Sequence, residues 1–352
     1  MVKEVDTSQG TCRLREQGFE SGSCIVVYED ERTDRACQVT LRWEGNVPFR
    51  LIRSAHLSRP EHYFSIYQSG CNFSCKKCHS WYFTRYASGE WMSPKNIRAL
   101  ARDYAKTITY WEPRERATSF HAHDLCLSCG LCVTEKVRSP YCPGVLEPDQ
   151  VISSPQGWGP ARNIIGFTGG DLACQPEFYC LASEEIKREG EDLWVLFETN
   201  GYGLTLENLD RFKVSGIDAF WLDIKAHDDA VHRKLTGCSN ERILKLPYEM
   251  KKRGFVLEVL SLFIPGWVEA DQIEKIAWIL VKVDPQIPFT ILAFFPEYQL
   301  REVPAPSFEQ MVEAYTRVKE TGVNQVRLGN IGIFARTAEQ FEVLKNLLGS
   351  RF

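Results

Sequence analysis

The chain has 352 residues, a formal net charge of −4, 44% hydrophobic residues and thirteen cysteines. That length could hold one large α/β barrel with additions or two ordinary domains, and the mild acidity argues against nucleic acid or an anionic membrane as a partner. No run of about 18 apolar residues offers a membrane span, and the opening Met-Val-Lys-Glu-Val-Asp lacks a signal-peptide core, so a cytoplasmic protein is expected.

Residues 1–60 alternate short apolar runs (24–28, 38–43) with polar turns, which reads as a β-rich extension on one end of the main domain, with no chemistry assigned. Residues 64–67 read as a buried strand, and Ser69-Gly70 is a turn signal. Next comes Cys71-Asn-Phe-Ser-Cys75-Lys-Lys-Cys78. Thiolates at this spacing can wrap one iron–sulfur cube and leave its fourth iron without a protein ligand, the arrangement of a reactive rather than a purely structural site. Three structural cysteines, or a zinc knuckle one ligand short, is the competing reading. An aromatic run at 81–86 then leads to Ser93-Pro94, an N-cap and a first helical residue, which start a helix reaching about 107.

Residues 111–160 are rich in Pro, Gly and Ser and break the rhythm, as expected of an insertion held by metal rather than by a core. They contain Cys126-Leu-Ser-Cys129-Gly-Leu-Cys132 and Cys142-Pro143, which resembles a ferredoxin half-site with a lengthened last gap. Four cysteines can saturate a second [4Fe–4S] cluster that conducts electrons or holds the insertion together; a mononuclear iron or zinc is the alternative. His121 and His123 precede it as spectators.

From 161 onward strand-like runs (163–167, 193–198, 217–222, 256–263, 289–294, 325–328) alternate with helical segments (177–189, 206–214, 240–253, 270–283, 307–321). With the strand near 64 this predicts a parallel sheet with right-handed crossovers, closest to a partial (β/α)6 TIM-like barrel with ligands at the C-terminal strand ends. The expected organisation is an extension (1–60), a barrel (61–110 and 161–336), the insertion (111–160) and a C-terminal helix (337–352).

Three strand ends carry polar residues suited to a ligand. Thr168-Gly169-Gly170-Asp171 lets the backbone approach closely, although a plain strand-to-helix turn would read the same. Asn200 and Asp223 are natural partners for hydroxyl groups, and Lys225 suits a carboxylate; as isolated residues they could equally be caps and surface charges. The remaining cysteines (12, 24, 37, 174, 180 and 238) read as buried small hydrophobes, and Cys12, Cys24 and Cys37 are widely spaced for a metal site.

Taken in order, Cys71/Cys75/Cys78, Thr168–Asp171, Thr199-Asn-Gly201, Asp223-Ile-Lys225, His232–Gly237 and Phe263-Ile-Pro-Gly266 resemble the pyruvate formate-lyase activating enzyme group of radical S-adenosylmethionine (SAM) proteins, over residues 63–336. The resemblance implies a [4Fe–4S] cluster on Cys71, Cys75 and Cys78 that splits SAM into methionine and a 5′-deoxyadenosyl radical. It implies SAM contacts from Gly169, Gly170 and Asp171 at the methionine end and from Asn200, Asp223 and Lys225 elsewhere. It further implies a low-potential electron donor and a protein or peptide substrate that loses a Cα hydrogen. Two outcomes follow: a glycyl radical on a partner enzyme, or C-methylation with cobalamin, as for a glutamine of methyl-coenzyme M reductase. The second is favoured because Lys77 stands where the group usually has an aromatic residue, and because the insertion has four cysteines rather than eight. No Asp-x-His-x-x-Gly cobalamin motif is present. A non-catalytic iron–sulfur electron-transfer protein and a small-molecule synthase are the rivals.

Overall fold

The computed structural model describes residues 12–28 and 30–349; the ends of the expected first and last segments, 1–11 and 350–352, lie outside the described residues. Seven parallel strands run side by side in chain order: β1 (Phe64–Gln68), β2 (Ile164–Gly169), β3 (Trp194–Thr199), β4 (Ala219–Asp223), β5 (Val256–Phe263), β6 (Phe289–Ala293) and β7 (Val326–Gly329). β1 and β7 are not paired with each other among the described residues, so the barrel is open and partial. It has one strand more than a six-unit barrel, because the short run of β7 is in full register with β6 (Phe289 opposite Val326).

The N-terminal extension does not form a separate cap on the barrel. Its strand Val47–Leu57 runs antiparallel along β1, and Leu41–Glu44 and Glu90–Met92 pair with it in turn, so the same sheet continues into the extension. The buried Arg50 on that strand donates to Gly70 O at 3.1 Å, bracing the residue before Cys71.

The principal helices are α1 (Pro94–Ala105), α2 (Glu177–Lys187), α3 (Leu206–Val214), α4 (Asp229–Thr236), α5 (Leu246–Lys252), α6 (Ala270–Val283), α7 (Phe308–Glu320) and α8 (Ala338–Leu348). Ser93 caps α1 as its sequence predicts, accepting from Asn96 N at 3.3 Å with Pro94 in the first turn. The expected helix at 240–253 contracts to a 3₁₀ turn followed by α5. α4 was not expected as a helix. Asp228 caps it, accepting from Val231 N at 2.9 Å, and Gly237, at φ 85°, ends it.

The core lies between the sheet and the helices. Phe167, Tyr179, Phe197, Phe212 and Phe220 are fully buried there and meet ring to ring, for instance Tyr179 edge-on to Phe197 at 4.7 Å. Each such side chain contributes roughly 1.5–3 kcal/mol through burial.

Part of the insertion has a core role that its composition did not suggest. Ala117 packs with Tyr63, Ile164, Leu196 and Ala219 at the N-terminal ends of the strands, and Phe120 N donates to Glu258 Oε2 of β5 at 2.7 Å. The fully buried Arg162–Glu112 ion pair ties the same stretch to the start of β2. Residues 112–122 therefore plug one end of the barrel and leave the C-terminal strand ends open.

Candidate functional site

A single cavity opens at the C-terminal ends of the strands, where parallel β/α folds gather their ligands. It is lined by Cys71, Cys75 and Cys78 from the loop after β1, Gly169 and Asp171 after β2, Asn200 after β3, and Asp223 and Lys225 after β4. Eight of the nine residues expected from the motifs thus meet in one place. Gly170 is the exception: it is buried under the cavity wall, where a β-carbon would run into the Gly70 carbonyl. Its bare backbone lets the β1 and β2 loops touch, and it supports the site from behind.

The cysteine loop is fixed by the fold before any metal is considered. Its Ser74 and Lys76 N–H groups donate to Thr236 O and Leu235 O at 3.1 and 2.9 Å, using carbonyls that the end of α4 leaves without helical partners. Asn72 N donates to Asp171 O at 2.9 Å, and Asn200 Nδ2 donates to Asn72 Oδ1 at 2.6 Å. Burial and the nearby Asp171 carboxylate push the Cys71 thiol up to about 12, and burial raises Cys75 strongly too. Thiols so placed stay protonated on their own, so metal binding would have to displace their protons.

Asp171 is also tied into the protein itself. Its carboxylate accepts from Ala173 N at 2.8 Å, Thr199 Oγ1 at 2.7 Å and Asn200 N at 2.9 Å. Burial raises its pKa and these bonds pull it back. The shorter side chain locks the Asn200 loop to the β2 loop, which makes Asp171 a positioning residue. Lys225 forms a close ion pair with Asp223 and faces Cys75; burial opposes its charge, but the Asp223 carboxylate outweighs it and raises the pKa.

Several lining residues, among them Glu198 at the head of the Thr199-Asn-Gly201 motif, were given no role by the sequence. Glu198, the last residue but one of β3, follows an apolar run and accepts from Tyr63 OH at 2.7 Å and Thr168 Oγ1 at 2.6 Å. Burial outweighs those bonds and lifts its pKa to about 8, so it is a neutral acid at pH 7. A lone carboxylate in an otherwise apolar strand was the available signal. Trp221, Phe295 and Asn330 also line the cavity. Lys77, where an aromatic residue was expected, sits over the Phe295 ring at 3.9 Å, so a ring from the loop after β6 lies beneath it. No local pattern could pair residues so far apart in sequence.

The donor set fits the implied groups. Three thiols share the cavity, and three buried polar atoms around it have no hydrogen-bond partner among the described residues: Asp223 Oδ1, Trp221 Nε1 and Asn72 Nδ2. The second group, Cys126, Cys129, Cys132 and Cys142, lines a separate small pocket with Leu146, Val151 and Arg138. Among the described residues, no three His, Cys, Asp or Glu side chains are closed to the spacing of a single metal ion, at either group. His121 bonds to Asp124 at 3.0 Å.

The profile described as the radical SAM superfamily matches residues 127–279, a segment that takes in the strand ends at 168–225 but starts after Cys78. Over that segment the chain resembles a radical SAM domain. Over 134 residues it is 34% identical to a Methanocaldococcus jannaschii protein named as a candidate glycyl-radical enzyme activating enzyme, covering 37% of this chain and 49% of that one. Over 275 residues it is 29% identical to an uncharacterized protein of the same organism, covering 76% of this chain and 63% of that one. Among solved structures, a domain of a pyruvate-formate lyase-activating enzyme from Bacteroides vulgatus superposes with a TM-score of 0.41 at 21% identity, covering 47% of this chain and 98% of that one. The chain spans about half to under two-thirds of the length of these curated relatives.

Proposed function

We propose that the chain is an enzyme that cleaves SAM reductively and takes a Cα hydrogen from a peptidyl residue of a partner protein, leaving a glycyl radical there. The observation that carries this reading is the meeting of Cys71, Cys75 and Cys78 with Asn200, Asp223 and Lys225 in one cavity. Those thiols would hold a [4Fe–4S] cluster, and Gly169, Asn200, Asp223 and Lys225 would hold SAM, a pairing that supplies one-electron cleavage when bound. The chain's own part is to place and to shield. Asp171 fixes the β2 and β3 loops, Lys225 offers a cation against a carboxylate, and Asp223 leaves one oxygen free for a hydroxyl. Glu198, which burial keeps neutral despite its bonds from Tyr63 and Thr168, adds no charge that would draw in water. Trp81, stacked on Tyr298 at 5.1 Å, and the half-exposed Tyr82 and Tyr86 stand beside cavity residues His79 and Ser80 and offer a peptide an apolar rim. A peptide seated there would keep solvent from the reacting carbon.

The name of the first relative supports radical installation. C-methylation with cobalamin is the second reading; it rests on Lys77 and on an insertion of four cysteines. The four-cysteine pocket suits an electron-conducting cluster fed by a low-potential donor. Anaerobic reconstitution with iron, sulfide, SAM and dithionite, with and without cobalamin, tests the whole. Deoxyadenosine should form, and a candidate peptide should show either a Gly-centred radical signal or the mass of one added methyl. No deoxyadenosine would end both readings.

A further inference from the structure

Outside both cysteine groups, the structure draws together four cysteines that the sequence scatters. Cys24 precedes the strand Ile25–Val27 and Cys37 follows its partner Thr33–Arg35; Ile25 pairs with Arg35, and Ala36 N donates to Cys24 O at 2.7 Å. The two cysteines therefore sit at the same end of one small hairpin. Cys12 opens the helix Arg13–Glu16, which lies against the loop after β2. Arg13 pairs with Glu177 at 2.5 Å, and Gln17 donates to Asn208 at 3.2 Å, whose amide in turn donates to Ala173 O at 3.2 Å. Cys174 is buried in that loop, three residues past Asp171, with its thiol in electrostatic reach of those of Cys37, Cys12 and Cys24. All four are unpaired.

Burial as small hydrophobes accounts poorly for this. Three of the four come from residues 12–39, a stretch of three- and four-residue elements whose buried apolar side chains are Leu14, Val26, Ala36 and Val39. A cross-link or a metal would fix such short elements more firmly against the main core. The other two scattered cysteines have other partners: Cys238, though in electrostatic reach of Cys24, accepts a hydrogen bond from Ser23 N at 3.2 Å, and Cys180 lies on α2 among Ser215, Arg211 and Glu177.

We propose that Cys12, Cys24, Cys37 and Cys174 form a third thiolate metal site, taking a soft metal as an iron–sulfur cluster or a single zinc or iron ion, and that it staples the N-terminal extension to the loop behind Asp171. The proposal goes beyond the function above and does not depend on it. As at the other two groups, the sulfurs are not closed to single-ion spacing, so loading would draw them in. The test measures metal and acid-labile sulfide in the anaerobically purified full chain. The double variant Cys24→Ser/Cys37→Ser should lose about one zinc or iron for a single ion, or about four irons with matching sulfide for a cluster. Cys180→Ser should lose nothing. If the double variant does not fold, Cys12→Ser, at a half-buried position, gives the same reading. In the native wild type, iodoacetamide should label Cys12 and Cys37 only after a chelator has removed the metal. Unchanged metal and sulfide in the variants, a disulfide among the four, or labelling indifferent to chelator would each overturn the site. Because metal loss is read without SAM, a chain inert toward SAM could still pass this test.

Discussion

The two consecutive cysteine groups are built on opposite principles. The loop of Cys71, Cys75 and Cys78 is braced on every side by the barrel: α4 carbonyls hold its N–H groups, Asn200 and Asp171 hold Asn72, and Arg50 holds Gly70. The loop of Cys126, Cys129, Cys132 and Cys142 rests on a satellite core of Leu125, Leu146 and Val151, with Cys129 exposed and Arg138 bridging Leu146 O at 2.8 Å. In the first the protein prepares the site and metal would complete it. In the second, metal would have to supply much of the order itself. The boundary between the two regimes falls inside the insertion, since residues 112–122 belong to the barrel core.

Breaking the braced site should have the largest effect. Cys75→Ala is expected to drop deoxyadenosine formation with dithionite to background while far-ultraviolet circular dichroism stays as in the wild type; turnover at the wild-type rate would remove the cluster from this loop. Next is Asp171→Ala, which leaves three buried donors without their acceptor at roughly 1–3 kcal/mol each before relaxation. Its melting temperature should fall by several degrees and SAM cleavage with it, whereas a residue that only touched ligand would leave melting unchanged.

Cys129→Ala probes the other side of the comparison. It should remove about one centre's metal and open the 126–145 segment to protease. Barrel melting should move little, and SAM cleavage should persist. A collapse of the barrel would mean that the insertion is as tightly integrated as the first loop.

The pH dependence separates the two regions more finely. Burial holds Glu198 near 8 and Glu258 near 7, both above the ordinary carboxylate value of about 4.3 in the unfolded chain. Between those values the folded chain binds the extra protons, so their stabilisation is complete below the unfolded pKa and is lost as pH rises through the folded ones. Melting should fall from pH 6 to pH 9, and Glu198→Gln should flatten that slope; an unchanged slope would place the titration elsewhere. The smallest expected effect is Lys77→Ala. It removes a cation–π contact worth about 0.5–1 kcal/mol and should weaken SAM binding by less than about tenfold, as read by equilibrium dialysis.

The strand–helix alternation was legible because it rests on local periodicity: β5, α3 and α6 run over the residues their patterns indicate. α4 escaped because its residues had already been read as a motif, and its apolar stripe of Leu235 beside His232 is short. The strand Val47–Leu57 was taken as part of a separate extension because nothing local says which sheet edge a strand will join.

The sequence by itself determined the chemistry on offer: the spacing of three thiols, the run of four, and the polar residues that end the strands, all carried by neighbours in the chain. Tertiary structure decided what those residues do. It turned Asp171 inward to tie two loops, buried Gly170 behind the wall, set Phe295 beneath Lys77 and gathered Cys12, Cys24, Cys37 and Cys174. The physical reason is distance along the chain: hydrogen bonds and burial between segments a hundred or more residues apart exist only once the sheet has set their register.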